Sequence, residues 1–113
     1  MLINKVEIGE LDIFDADVMD KIEVALEKVK KEANESLKLK APDTIRKQCK
    51  AIFDCFNSLF GEGTDKKIFG DRVNILICLN AFAELVNEID LQKENINKLA
   101  NKYSSNRVAR RAK

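Results

Sequence analysis

The stretch Val73-Asn74-Ile75-Leu76-Ile77-Cys78-Leu79-Asn80-Ala81-Phe82-Ala83-Glu84-Leu85-Val86-Asn87-Glu88-Ile89 is the most apolar in the chain and decides its fold class. Its apolar residues recur at helical spacing and leave little polar face in the first half. A helix apolar nearly all round is buried on several sides. This third long helix, capped by Asp71, is therefore expected to be central, with two other helices packed on it. Its polar interruptions, Asn74, Asn80, Glu84, Asn87 and Glu88, exclude a membrane span.

Working back from it, Ile45, Cys49, Ile52, Phe53, Phe56, Leu59 and Phe60 form the cleanest helical stripe in the chain. Pro42 opens this second helix at a position where a missing N–H costs little, and Gly61 ends it as a left-handed cap. Glu62-Gly63 is a turn, and Thr64 is placed to cap a short helical piece from Asp65 to Phe69 that Gly70 closes. Further upstream, Val18, Ile22, Ala25, Leu26, Val29 and Ala33 give a first helix one apolar stripe, with Asp15 or Asp17 as its cap. Ser36 to Lys40 reads as a polar connector. At the start, residues 5–14 alternate apolar and polar on both sides of Gly9-Glu10, which predicts a β-hairpin turning there. Two strands are marginal alone and must rest on helices or on another copy.

Beyond Ile89 the apolar residues thin to Leu91, Ile96 and Leu99, enough for the third helix to run on with little support. The expected architecture is mainly α: a three-helix core with a short extra helical turn and an N-terminal β-hairpin over 1–101, then a disordered basic tail over 102–113.

The 113 residues make one domain, and the 45% hydrophobic content is that of a globular protein. Net charge is only +1, yet it is polarised. Residues 1–35 carry ten acids against five bases, whereas 98–113 carry Lys98, Lys102, Arg107, Arg110, Arg111 and Lys113 with no acid. An acidic front and a basic end suit head-to-tail association or a solvated tail, so a homo-oligomer is one expectation. Three cysteines, an odd number, argue against a disulfide framework and for a reducing compartment, the cytoplasm. Cys49 and Cys55, six apart on one helix, stand about 9 Å apart, too far to bridge.

Histidine is absent, which removes the commonest general base, the serine triad and most transition-metal sites. Gly61-Glu62-Gly63-Thr64-Asp65-Lys66-Lys67 lacks the Gly-Lys-Ser/Thr ending and the preceding strand of a phosphate loop. Asp12, Asp15, Asp17 and Asp20 fit helix capping better than a calcium loop, whose register they miss. The phenylalanines Phe53, Phe56, Phe60, Phe69 and Phe82 read as core rather than as a ligand pocket. No enzyme, no cofactor and no metal site is expected. The basic end is the one segment the fold does not explain, and Tyr103, Arg107, Arg110 and Arg111 are its candidate partner-binding residues.

Three stretches carry a resemblance: Phe14-Asp15-Ala16-Asp17; Ile45-Arg46-Lys47-Gln48-Cys49 through Phe60-Gly61-Glu62-Gly63-Thr64 with Lys67-Ile68-Phe69-Gly70-Asp71; and Tyr103-Ser104-Ser105-Asn106-Arg107-Val108-Ala109-Arg110-Arg111. In this order they resemble short proteins of temperate phages and prophages of Gram-positive bacteria such as clostridia, encoded in the tail module near the tape-measure gene. What the resemblance implies is a non-enzymatic role in virion morphogenesis. A tail assembly chaperone of this kind coats the helical tape-measure protein and recruits tail-tube subunits in the host cytoplasm. An exposed apolar strip on the first helix, or the end of the third, would take the partner. The competing expectation is a small nucleic-acid-associated or regulatory phage protein acting through its basic end. Near-neutral net charge and the lack of a recognition helix rank it second.

Overall fold

The computed structural model describes the backbone of residues 1–112 and the side chains of residues 1–103. Among these, strands β1 (Leu2–Ile3) and β2 (Val6–Glu7) precede helices α1 (Ala16–Ser36), α2 (Ala41–Phe60), α3 (Thr64–Phe69) and α4 (Ile75–Ala112). The mainly helical class, with a short extra helix and an N-terminal antiparallel hairpin, is as the sequence led us to expect. Of the expected basic tail over 102–113, only Lys102 and Tyr103 have described side chains. Arg107, Arg110 and Arg111 lie outside the described side chains.

The hairpin is not where alternation placed it. Leu2 pairs with Glu7 and Ile3 with Val6, so the turn is Asn4-Lys5 rather than Gly9-Glu10. Both turn residues have positive φ, 51° and 66°, the requirement of the tight turn that matches strand twist. Asparagine tolerates that region, and it stands where a two-residue turn needs it. Ile3, Ile8 and Ile13 are buried, which carries the N-terminal segment across the helices as a lid. The Met1 ammonium is held by the Glu7 carboxylate at 2.7 Å, by the Glu10 carboxylate and by the Gly9 carbonyl at 2.9 Å.

Asp15 caps α1, its carboxylate accepting from the N–H groups of Asp17 at 2.9 Å and Val18 at 3.3 Å. Ile22, Ala25 and Val29 form the buried stripe of α1. Where α1 ends, Ser36 is fully buried yet satisfied. Its hydroxyl donates to the Ala33 carbonyl at 2.6 Å and accepts from the Gln48 amide at 2.9 Å, and Thr44 donates to the Ser36 carbonyl at 2.8 Å. These bonds fold α2 back along α1.

The central element is α2, and this corrects the expectation for the Val73–Ile89 stretch. α1, α3 and α4 all pack on α2, and the contact between α1 and α2 is the most extensive. Only one stripe of α4 is buried, Cys78, Ala81, Leu85 and Ile89, while Leu76 is 66% exposed and Leu79 is also exposed. Hydrophobic content alone did not reveal that one side of α4 has nothing over it. The start of α4 is also later than expected. Asn74, not Asp71, caps it, its side-chain oxygen accepting from Ile77 N–H at 3.1 Å. Asp71 instead pairs with Lys66 at 3.1 Å.

Gly61 ends α2 as anticipated, though at φ 111° and ψ 155°, an extended mirror-image conformation open to glycine rather than the left-handed helical one. Thr64 lies inside α3, not before it. Its hydroxyl donates to the Gly61 carbonyl at 2.6 Å, while Asn57 receives the Asp65 N–H at 2.9 Å. Phe56 and Phe69 are core, with Phe53, Phe60 and Phe82 packed against it: the rings of Phe53 and Phe69 are 4.9 Å apart and those of Phe56 and Phe69 5.9 Å.

Candidate functional site: a groove between the first two helices

Helices pack closely where their facing side chains are small, and a shallow channel remains beside the contact. Ala25 of α1 faces Ala51 and Cys55 of α2, and all three are buried. Short side chains here leave an open groove of about 430 Å³. Val24 stands over it, 69% exposed, an apolar side chain with no cover. Asp20, Lys21 and Lys28 from α1 and Asp54 and Ser58 from α2 form the rim. The groove thus has an apolar floor and a polar edge carrying both signs of charge. That is how a surface contacts an amphipathic helix, whose apolar stripe needs a dry floor and whose flanks stay wet.

The thiol nearest the groove, Cys55, is pushed up to about 12 by burial, so it is protonated and unreactive at neutral pH. Cys49 on α2 and Cys78 on α4 are both fully buried. Burial raises both, Cys78 to about 12. All three cysteines are free. Among the described residues, no group of three or more histidine, cysteine, aspartate or glutamate side chains is placed to hold a metal ion. No helix described is long and apolar enough to cross a membrane.

Of the residues singled out from sequence, Tyr103 does not line this groove. Tyr103 is exposed on α4, and the side chains of Arg107, Arg110 and Arg111 fall outside the description. The groove itself was missed, though one signal was present. Val24 is the one large apolar residue of α1 that falls off the stripe of Val18, Ile22, Leu26 and Val29. The small floor residues could not be recognised as facing one another until α1 and α2 were brought together.

Fold and site together define a small helical domain with an N-terminal hairpin and an open inter-helix groove. The chain belongs to the family of unknown function DUF6673, which matches residues 4–113. Among curated proteins and among solved structures, none matches it.

Proposed function

We propose that this domain is a non-enzymatic protein-binding module of phage tail assembly. In this reading it holds a helical segment of the tape-measure protein in the α1–α2 groove, in the cytoplasm of the bacterial host. The observation that carries the binding role is the exposed apolar side chain of Val24 beside a groove floored by small residues and rimmed by mixed charge. A long helical rod presents repeated apolar stripes, and a groove of this build takes one turn after another of such a stripe. The tail-assembly setting is supported by the resemblance of the block from Phe60 to Asp71 to phage tail-module proteins. Tail-tube subunits would be recruited by surfaces the tape measure leaves uncovered.

The experiment is co-expression with a phage tape-measure protein. Co-purification at physiological salt is the expected result, and Val24→Glu is expected to abolish it without changing the melting temperature, since Val24 is exposed. Absence of co-purification overturns the reading. A salt-sensitive shift of a DNA or RNA probe that disappears on removal of residues 102–113 would replace it with the nucleic-acid reading.

A further inference from the structure

We infer that two copies of this chain pair antiparallel through the bare face of the first half of α4. This face points away from α2, and the contact is independent of the α1–α2 groove. Its composition sets it apart. Over Asp20–Lys31 of α1, every exposed residue except Val24 is charged. That is how a solvated helix face looks in a chain whose residues are 35% charged. Over Val73–Ile89 the one exposed charge is Glu84, and its carboxylate is taken by the Asn4 N–H. What remains exposed on α4 there is Leu76, Leu79, Asn80, Ala83 and Asn87. Leu76, at 66% exposure, stands half a turn around the helix from fully buried Leu85. An apolar face of this kind, bordered by polar groups, marks a contact surface.

The occupant is identified by how the face matches itself. Leu76, Leu79, Ala83, half-buried Val86 and Asp90 follow one another at alternating spacings of three and four, the pattern of helices that pair. Turned about a twofold axis level with Ala81, Leu79 lies over the other copy's Ala83, and Leu76 over the other copy's Val86. Large side chains meet smaller ones, so the two helices approach closely. The same register brings Asn80 on one flank beside the other copy's Asn87. An amide is both donor and acceptor, so like can pair with like. At the ends, exposed Asp90 comes level with the other copy's Arg72, also exposed and two residues before the cap Asn74. One rotation therefore matches apolar, amide and charged groups, and makes each match twice. A parallel pair in register would set Asp90 against Asp90 and Arg72 against Arg72, like charges in contact. Because the same patch serves both copies, the contact closes at two and does not propagate. From Leu76 to Asp90 the seam runs about 21 Å. A single helix pair of that length belongs with the small, weak interfaces of less than about 1,200 Å².

Sedimentation of the full chain from about 1 μM to about 1 mM is the first test. A reversible monomer–dimer equilibrium is expected. Leu79→Glu and Ala83→Arg should each raise Kd at least about tenfold, with the melting temperature of the dilute monomer unchanged because both sites are exposed. Val24→Glu, in the groove, should leave Kd as it is. Orientation is read by charge reversal. Arg72→Asp and Asp90→Arg should each raise Kd about tenfold, since two favourable pairs become two repulsions. The chain carrying both substitutions should return to within about threefold of the original, because the reversed charges again meet their opposites across the axis. A double variant as weak as the single ones overturns the antiparallel register. A chain that sediments as monomer throughout, or a dimer untouched by Leu79→Glu and Ala83→Arg, overturns the contact. A monomer whose co-purification with a phage tape-measure protein is lost in those two variants overturns it as well, and gives the face to that protein.

Discussion

The backbone N–H of Asn4 donates to a carboxylate oxygen of Glu84 at 2.9 Å, joining positions 80 residues apart. The Asn4 side-chain amide meanwhile donates to the Ile68 carbonyl at 3.1 Å. One turn residue thus pins the hairpin to α4 and to α3 together. Glu84→Ala removes the first of these bonds. It is expected to lower stability by about 1 kcal/mol, the usual net worth of a hydrogen bond that is not deeply buried. A urea titration should show a lower midpoint with an unchanged slope.

Lys5 pays a conformational penalty that its neighbour avoids. Its φ of 66° is in the region where a side chain with a Cβ is strained. Lys5→Gly makes the turn Asn-Gly, the pairing such turns favour, and is expected to raise stability by about 0.5–1 kcal/mol. Thermal unfolding of the two proteins side by side measures it. No gain, or a loss, would show that the strand pairing does not turn at Asn4-Lys5.

Two leucines nine positions apart on α4 should behave oppositely. Leu85 is fully buried and Leu76 is 66% exposed. Leu85→Ala is expected to cost about 2–5 kcal/mol through lost burial and the cavity left behind. Leu76→Ala should stay within about 0.5 kcal/mol. Equal losses at both sites would restore a helix buried on all sides.

The cysteines supply a chemical test of the core. Burial raises all three thiols, Cys55 and Cys78 to about 12. The native protein at pH 8 should react with a disulfide reagent over hours, and all three thiols should react within minutes once unfolded in urea. A fast thiol in the native state would mean that α2 opens from its neighbours readily.

How much of this was written legibly in the chain depends on the range of the forces involved. Two helix ends were legible in local chemistry: Asp15, one of two candidate caps, caps α1 and Gly61 closes α2, whereas the caps expected of Thr64 and Asp71 fall instead to Gly63 and Asn74. The stripe from Cys49 to Phe56 was legible because a clean period leaves one way to face inward. Val73–Ile89 misled because composition reports how apolar a helix is, not which neighbours reach it; α2 contacts one side only. The hairpin was displaced because alternation around Gly9 looked like strand pairing, while the deciding signal was a single asparagine able to take positive φ. The groove was least legible, since Ala25, Ala51 and Cys55 acquire meaning only when two distant segments meet.

Those three short side chains have a consequence for how the domain can change. They let α1 and α2 close on each other, so the stability of the pair and the character of the groove's edge are governed by different atoms. A larger side chain at Ala51 would wedge the two helices apart, whereas a change at exposed Val24 alters the face of the groove and leaves the scaffold as it is.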